Sequence, residues 1–459
     1  MDHNVIKNGD KLLFILVVTL IFSVMNGTMF NVVLPEIGKE FQLIPSQVSW
    51  IMTSYMVVYA IGSILFGKLA DQYRLKDLLT AGLVIFAFGS VLGLLAAEYW
   101  MIILGRILQA AGASVLPATA MIIPIRYFAP EKRGRALGTS AIGLALGSAL
   151  GPVVAGMITS AGSWRLLFLI SLLPLLTLPF YRKYLDNERG AAGKIDYLGG
   201  GLLAATVTLT LLAITQSNGL LFLGGLITLL LFIMRIRTIS GPFIQPALFR
   251  NKHYSIGLVL TFATTAVSFG LTFLIPQFLN EINQLSPGQI GFVLFPAALV
   301  SAFTGRRGGK LADERGNHFL VSLASLLMLL CFALLSTYIG VSPAIIAVIL
   351  ILGNVGQIFM QVAMSNTISR TLAKEETGVG MGLFSMINFI SGAIAMSLIG
   401  KMLDTGSAFF HLNPFVKDES TYVYSNILVG LGLLVLVVVI VYRLQFGGFI
   451  RKAKPDNIA

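Results

Sequence analysis

Arg106 is the residue whose position most needs a reason. It lies in Leu104-Gly105-Arg106-Ile107-Leu108-Gln109, inside a long apolar stretch. If that stretch crosses a membrane, an arginine well inside it costs at least about 2.5 kcal/mol on insertion scales, so it faces a cavity or a partner. It is more than one turn from the stretch's end at Met101 and about five turns from Arg126. Amides occupy other apolar stretches: Asn26 and Asn31 with Thr28, then Asn354, Gln357 and Gln361, then Asn388. Asn354, Gln357 and Gln361 stand at i, i+3 and i+7 and share one helix face. Buried amides either bond one another between helices or offer donors and acceptors to a bound solute. Both uses are open for Asn26, Asn31, Gln357, Gln361 and Asn388, the candidate substrate contacts. Acids are missing where they would matter. Asp71, Asp196 and Asp313 fall in loops or at helix ends on one side, Glu98, Glu281 and Asp404 on the other, and His3, His253, His318 and His411 lie outside the stretches. Enzyme chemistry needs clustered nucleophiles, acids or metal ligands. None is visible, so neither catalysis nor a metal or cofactor site is expected. The single cysteine, Cys331, has no intrachain disulfide partner.

The elements that carry these residues are membrane spans. The chain of 459 residues is 56% hydrophobic and only 11% charged, with mean hydropathy +0.86. A soluble domain is about one quarter charged. Apolar runs of roughly 20 residues, enough to cross about 30 Å of hydrocarbon, recur at 12–34, 47–67, 78–97, 101–125, 136–160, 165–182, 197–216, 219–235, 256–275, 288–305, 319–337, 342–363, 381–400 and 423–443. A membrane β-barrel would instead alternate over ten-residue segments, so fourteen helices are expected. Gly or polar residues interrupt the tenth, twelfth and thirteenth runs. The first run is too long for a signal-peptide core and lacks a small-residue cleavage site, so it reads as an uncleaved first helix. Outside the spans, Lys and Arg fall on one side of the membrane except Lys39, Arg165, Lys401 and Lys417. That asymmetry puts both termini in the cytoplasm. The net charge of +12 therefore reflects topology. Nucleic-acid binding would need aromatic platforms or a groove-sized basic face, which the loops lack. The basic tail Arg443–Lys454 is expected to meet anionic lipid headgroups.

Two repeated segments suggest moving parts. Gly67-Lys68-Leu69-Ala70-Asp71 follows the second span, and Gly309-Lys310-Leu311-Ala312-Asp313 follows the tenth, before Glu314-Arg315-Gly316. Duplicated halves are common in transporters. Asp71, Asp313 and Arg315 are candidate parts of a closable charge lock. The fifth span places Gly143, Gly147 and Gly151 at four-residue intervals before Pro152. That spacing permits close helix contact, and the proline bends the helix.

Together these motifs resemble the major facilitator superfamily, in particular its fourteen-helix drug:proton antiporter branch, through almost the whole chain. Gly-x-Leu-Ala-Asp resembles the loop signature, Arg106 with Gln109 the fourth-helix motif, and Gly143 through Gly151-Pro152 to Ala155-Gly156 the fifth-helix motif of exporters. Trp164-Arg165 with Phe168 and Pro174 resembles the start of the sixth helix. Arg74 departs from the family's usual Gly, whereas Gly316 keeps it. Pro242-Phe243-Ile244-x-Pro246, Ser286-x-x-x-Ile290-Gly291 and Ser420-Thr421-Tyr422-x-Tyr424-Ser425-Asn426 are similar to tetracycline exporters. Yet Gly27, Ser148 and Gly392 stand where that subgroup has membrane carboxylates, and Asn26 where the multidrug branch has Asp. The resemblance implies an all-α polytopic fold with an N-terminal six-helix bundle over 1–190, two linker helices over 191–240, and a C-terminal six-helix bundle with a basic cytoplasmic tail over 241–459. It implies a monomeric exporter in a bacterial cytoplasmic membrane, exchanging amphipathic small molecules for protons by alternating access. Arg106 would couple the two, substrate would sit between the halves, and Gly147, Gly151 and Pro152 would shape the cavity. The missing acids favour an alternative: an exporter or flippase of a lipid-like molecule without strong proton coupling.

Overall fold

The computed structural model describes residues 8–70, 72–187, 195–373, 376–406 and 410–446. Among these the secondary structure is helical throughout, because a chain surrounded by hydrocarbon must satisfy its backbone polar groups within each segment. The first part contains α1 (Gly9–Glu40), α2 (Pro45–Ala70), α3 (Leu75–Leu94), α4 (Tyr99–Ala113), α5 (Leu116–Tyr127), α6 (Pro130–Ala161), α7 (Leu166–Ile170) and α8 (Leu178–Tyr184). Then come α9 (Tyr197–Gln216), α10 (Gly219–Thr238), α11 (Lys252–Glu281), α12 (Pro287–Arg315), α13 (Asn317–Thr337), α14 (Pro343–Ser369), α15 (Thr377–Leu403) and α16 (Tyr422–Phe446). Among the described residues, 14 helical segments are long and apolar enough to cross a membrane, and each corresponds to one of the apolar runs. The basic tail beyond Phe446 lies outside the described residues.

Three details differ from the pattern of apolar runs. The fourth span is broken at Ser114–Val115 into α4 and α5, with Pro117 opening the second piece. The sixth is broken into α7, a 3-10 turn (Leu173–Thr177) and α8, because Pro174 and Pro179 each lack the N–H that a continuous helix would use. The second Gly-Lys-Leu-Ala-Asp copy, expected as a loop, is the last part of α12, and the first copy ends α2 at Ala70. The helices also run past their apolar windows, so His253 and His318 fall in the first turns of α11 and α13.

The chain divides into two compact units. One comprises Met1–Ile244 with Gln284–Phe295, the other Gln245–Asn283 with Pro296–Ala459. In the first, α1 packs closely against α6 because Gly143, Gly147 and Gly151 face it. A Cβ at Gly147 or Gly151 would collide with Ile21 or Thr28, and one at Gly143 would press on Val17 at 3.1 Å. The glycine stripe is thus an α1 contact surface, and α6 continues through Pro152 as one helix. The linker hairpin α9–α10 belongs to this unit. Ser217 turns it with φ 50°, Asn218 Oδ1 accepts from the N–H groups of Leu220 and Leu221, and Trp50 Nε1 donates to Thr215 Oγ1 at 3.2 Å.

The departure at Arg74 has a local cause. Gly316 links α12 to α13 with φ +83°, where a side chain is strained. Arg74 precedes α3 with φ −63° and ψ 128°, which any residue adopts. Only the second turn requires glycine.

Candidate functional site: a buried arginine held by neutral partners

Arg106 and Gln109 stand three residues apart on one face of α4, turned toward α1, α2 and α3. Close approach of α3 and α4 depends on paired glycines, since a Cβ on Gly89 would lie 2.6 Å from the Gly105 carbonyl oxygen. Arg106, Gln109 and Asn26 are each 0% exposed. Arg106 Nη1 donates to Asn26 Oδ1 at 2.8 Å and to Gln109 Oε1 at 2.9 Å, and Nε donates to the Ile51 carbonyl at 3.3 Å. Nη2 points at Met52 Sδ, 3.8 Å away. The guanidinium lies over Phe30 and Tyr55, with Cζ 4.5 Å and 4.2 Å from the ring centroids.

A second layer fixes the amides. Arginine has no acceptor, so both amide oxygens turn toward it and both NH2 groups turn away. Asn26 Nδ2 donates to Ser171 Oγ at 2.6 Å, and Gln109 Nε2 donates to Ser90 Oγ at 2.9 Å. The hydroxyls of Ser171 and Ser90 donate in turn to the carbonyls of Leu167 and Phe86, each at 2.9 Å. A desolvated cation over an aromatic face gains about 2 kcal/mol per good contact, and hydrogen bonds from a charged donor contribute about 1.5–3 kcal/mol each. These terms oppose the cost of placing the cation there. None of its acceptors is an acid.

The other candidates are dispersed. Asn31 on α1 is 5% exposed, and its Oδ1 is buried without a hydrogen-bond partner. In the second unit, Gln357 Nε2 is likewise buried and unpartnered, whereas Gln361 is exposed. Asn388 Oδ1 accepts from Thr265 Oγ1 at 2.7 Å. Asn31 and Gln357 therefore keep unused polar capacity, Asn26 is spent on neighbours through both its oxygen and its NH2 group, and Asn388 uses its oxygen on Thr265.

Of the expected charge locks, Asp71 lies outside the described residues. Asp313 is exposed and makes no ion pair among the described residues. Its neighbour Glu314 pairs with Lys310 at 3.5 Å, and Arg315 stacks on Phe319 with Cζ 4.9 Å from the ring centroid. Lys68 of the first copy donates to the Pro242 carbonyl at 2.9 Å and lies 5.5 Å from the Phe243 ring centroid.

That contact belongs to a hub that motif reading missed. Asp196 has no exposed side-chain surface. It caps α9 through the Gly199 N–H at 2.9 Å and accepts from Arg235 Nε and the Phe243 N–H, each at 3.2 Å. Burial works to raise the Asp196 carboxyl, but those donors hold it below its ordinary value. An acid directly before the apolar run Tyr197–Gln216 was the available signal, being an N-cap pattern. Phe30, Tyr55, Ser90 and Ser171 were also missed, since none differs by type from its neighbours in the spans. Where the sixth span begins, Glu40 accepts from Trp164 Nε1 at 2.6 Å and Arg165 Nη2 at 2.7 Å.

The chain is similar over most of its length to known membrane proteins. It is 27% identical over 420 residues to the riboflavin transporter RibZ of Clostridioides difficile (strain 630), covering 89% of each chain. It is 22% identical over 422 residues to the methylenomycin A resistance protein of Bacillus subtilis (strain 168), covering 88% of this chain and 90% of the relative. Among solved structures, a point mutant of the nucleoside transporter NupG superposes with TM-score 0.70 at 10% identity, covering 95% of this chain and 100% of that one. A bacterial homologue of the human lysosomal transporter Spinster gives TM-score 0.69 at 14% identity, covering 98% and 99%. The sequence model of the Major Facilitator Superfamily matches residues 16–396, and this chain is a member of that superfamily of membrane transporters.

Proposed function

We propose that this protein exports amphipathic small molecules, of multidrug or tetracycline type, in exchange for protons by alternating access. On this reading it is a monomer of the fourteen-helix drug:proton antiporter branch, in the cell membrane with both termini cytoplasmic. The observation that carries the proposal is the Arg106 cluster: a fully buried guanidinium bridging three spans through neutral partners. Neutral acceptors hold a cation less firmly than a carboxylate does. The cluster can therefore open when a solute or a proton alters one partner, and an opening there loosens α1 from α4. The names of the two relatives, a riboflavin transporter and a resistance protein, suggest solutes of this kind. A second reading is favoured by the same geometry. With no acid bonded to Arg106, an exporter or flippase of a lipid-like molecule would work with weak or no proton coupling.

The test is a solute panel in energised everted vesicles containing riboflavin, methylenomycin A, tetracycline and a fluorescent phospholipid, with and without an imposed ΔpH. Uptake of a soluble amphipathic compound that rises with ΔpH is the expected result. Movement of the phospholipid alone, insensitive to ΔpH, would replace the first reading with the second.

A further inference from the structure

We propose that the groove between α13 and α16 holds an anionic glycerophospholipid, bound through its phosphate by Arg443 and through an ester carbonyl by Ser325. The groove has a volume of about 450 Å³ and includes Phe319, Ser322, Ser325, Leu326, Val439 and Arg443 in its lining. Its upper end is basic and ordered. Arg443 Nη2 donates to Ser322 Oγ at 2.9 Å, which fixes the guanidinium over the groove and leaves its other donors free for a phosphate. Arg315 lies on the Phe319 ring at the same end. His318 Nε2 donates to the Phe446 carbonyl at 2.9 Å, and Tyr442 bonds Thr367 Oγ1 at 2.9 Å, so the end of α16 is tied to its neighbours. Nearby acids on α12 are Asp313 and Glu314, of which Glu314 is paired with Lys310.

Below the basic rim the groove becomes apolar, with one exception. Ser325 is 2% exposed and lines the groove, and its Oγ is buried without a hydrogen-bond partner, so its side chain must rotate toward the groove to meet an ester carbonyl. Hydroxyls on other spans of this protein return to a carbonyl of the preceding turn, as Ser90, Ser140 and Thr206 do. Ser325 does not, and an unpaired hydroxyl away from water costs about 1–3 kcal/mol. It sits one turn, about 4.5 Å, deeper than Ser322. A glycerophospholipid presents the same sequence along its length: an anionic phosphate, ester carbonyls roughly one helical turn deeper, then acyl chains. The chains would lie on Leu326, which is 54% exposed, and Val439. Charge complementarity and the unpaired donor together select a lipid over a free anion, which would leave the lower groove unfilled.

The experiment is native mass spectrometry of the purified full-length chain in detergent. Phosphatidylglycerol and phosphatidylethanolamine are supplied in equal amounts and lipid adducts are counted. One phosphatidylglycerol retained per chain, about tenfold in preference to phosphatidylethanolamine, is expected. Arg443→Gln should lower its retention about tenfold, a change of about 1.4 kcal/mol. Ser325→Ala should lower retention of both lipids, and Lys417→Gln should leave it unchanged. Ser322→Ala, which unfastens the guanidinium, stands in if Arg443→Gln does not yield folded protein. Equal retention by parent, Arg443→Gln and Ser325→Ala overturns the site. Equal binding of the two lipids overturns recognition of charge. Displacement of the adduct by millimolar inorganic phosphate overturns the lipid in favour of a free anion, and dimers bridged through this face would mean a second copy occupies it.

Discussion

Arg106 shows how a charge can be kept in a membrane without a countercharge. Its hydrogen bonds run to two amides and a carbonyl, and its plane is enclosed by Phe30 and Tyr55. Removing the guanidinium leaves the oxygens of Asn26 and Gln109 buried without donors, at about 1–3 kcal/mol each. Arg106→Ala is therefore expected both to lower the melting temperature and to abolish transport, which by itself would not separate stability from function. Arg106→Met narrows the gap. It fills the space and so avoids the cavity that alanine leaves, although the two amide oxygens still lose their donor. Arg106→Met should insert and melt between Arg106→Ala and the parent, and lose vesicle uptake even at matched amounts of folded protein. Arg106→Lys should retain only a fraction of uptake, because an ammonium cannot bridge two amides in a plane or stack between two rings. Parent-level uptake by Arg106→Met at matched protein amounts would reduce Arg106 to packing.

At the scale of elements, the linker hairpin is anchored by Asp196, which collects the start of α9, Arg235 near the end of α10 and the Phe243 N–H, beside the Lys68 contact to Pro242. Asp196→Ala should destabilise the first unit by about 1–3 kcal/mol, because the buried N–H groups of Gly199 and Phe243 lose their acceptor while Arg235, 34% exposed, can turn to water, and Asp196→Asn by less. The pH dependence follows from the lowered carboxyl. A group whose folded value lies below its unfolded one, about 3.9 for Asp, contributes fully above the unfolded value and loses that contribution as pH falls through the folded value. The melting difference between parent and Asp196→Asn should be constant from neutrality to about pH 5 and shrink in more acidic buffer. A difference that grows on acidification would show that Asp196 is not held charged. Close packing gives a second prediction. Gly147 abuts the Ile21 carbonyl, so Gly147→Leu should separate α1 from α6 and reduce the folded yield, whereas Gly201→Leu, with open space around it, should not. These elements also mark what the sequence made legible. All fourteen spans could be read, because apolar length is a property of the chain alone. The breaks at Ser114 and Pro174 could not, since hydropathy does not register a lost backbone hydrogen bond. Arg106 was conspicuous by its charge, as were the amides by their polarity. Phe30, Tyr55 and the two serines were not, because only the packing of separate helices brings them to the guanidinium. The Asp196 hub joins residues from 68 to 243, a spread no local motif records.

At the scale of the whole molecule the question is where a proton would ride. Exchange of solute for proton requires a group that gains and loses a proton as the protein changes state. Asn26 cannot do so, although it holds the position nearest the buried cation, with Oδ1 2.8 Å from Arg106 Nη1. Asp196 is a poor carrier, since three donors hold it in its charged form. Glu36 on α1 is the remaining rival: it is half-buried, and Oε2 has no partner. If the Arg106 cluster is the coupling point, the chain as it stands should show weak substrate-triggered proton flux, and Asn26→Asp should raise it. A carboxylate there accepts from the guanidinium while charged and releases it once protonated, so proton binding and the opening of the cluster become one event. The measurement is proton uptake into proteoliposomes, followed with an interior pH dye on adding substrate, for the parent, Asn26→Asp, Glu36→Gln and the double variant. Flux that appears with Asn26→Asp and survives Glu36→Gln places coupling at Arg106. Strong flux in the parent that vanishes with Glu36→Gln moves it ten residues along α1. Absence of flux from both the parent and Asn26→Asp, with export intact, supports the uncoupled exporter or flippase, in which the buried cation governs conformation without carrying a proton's equivalent.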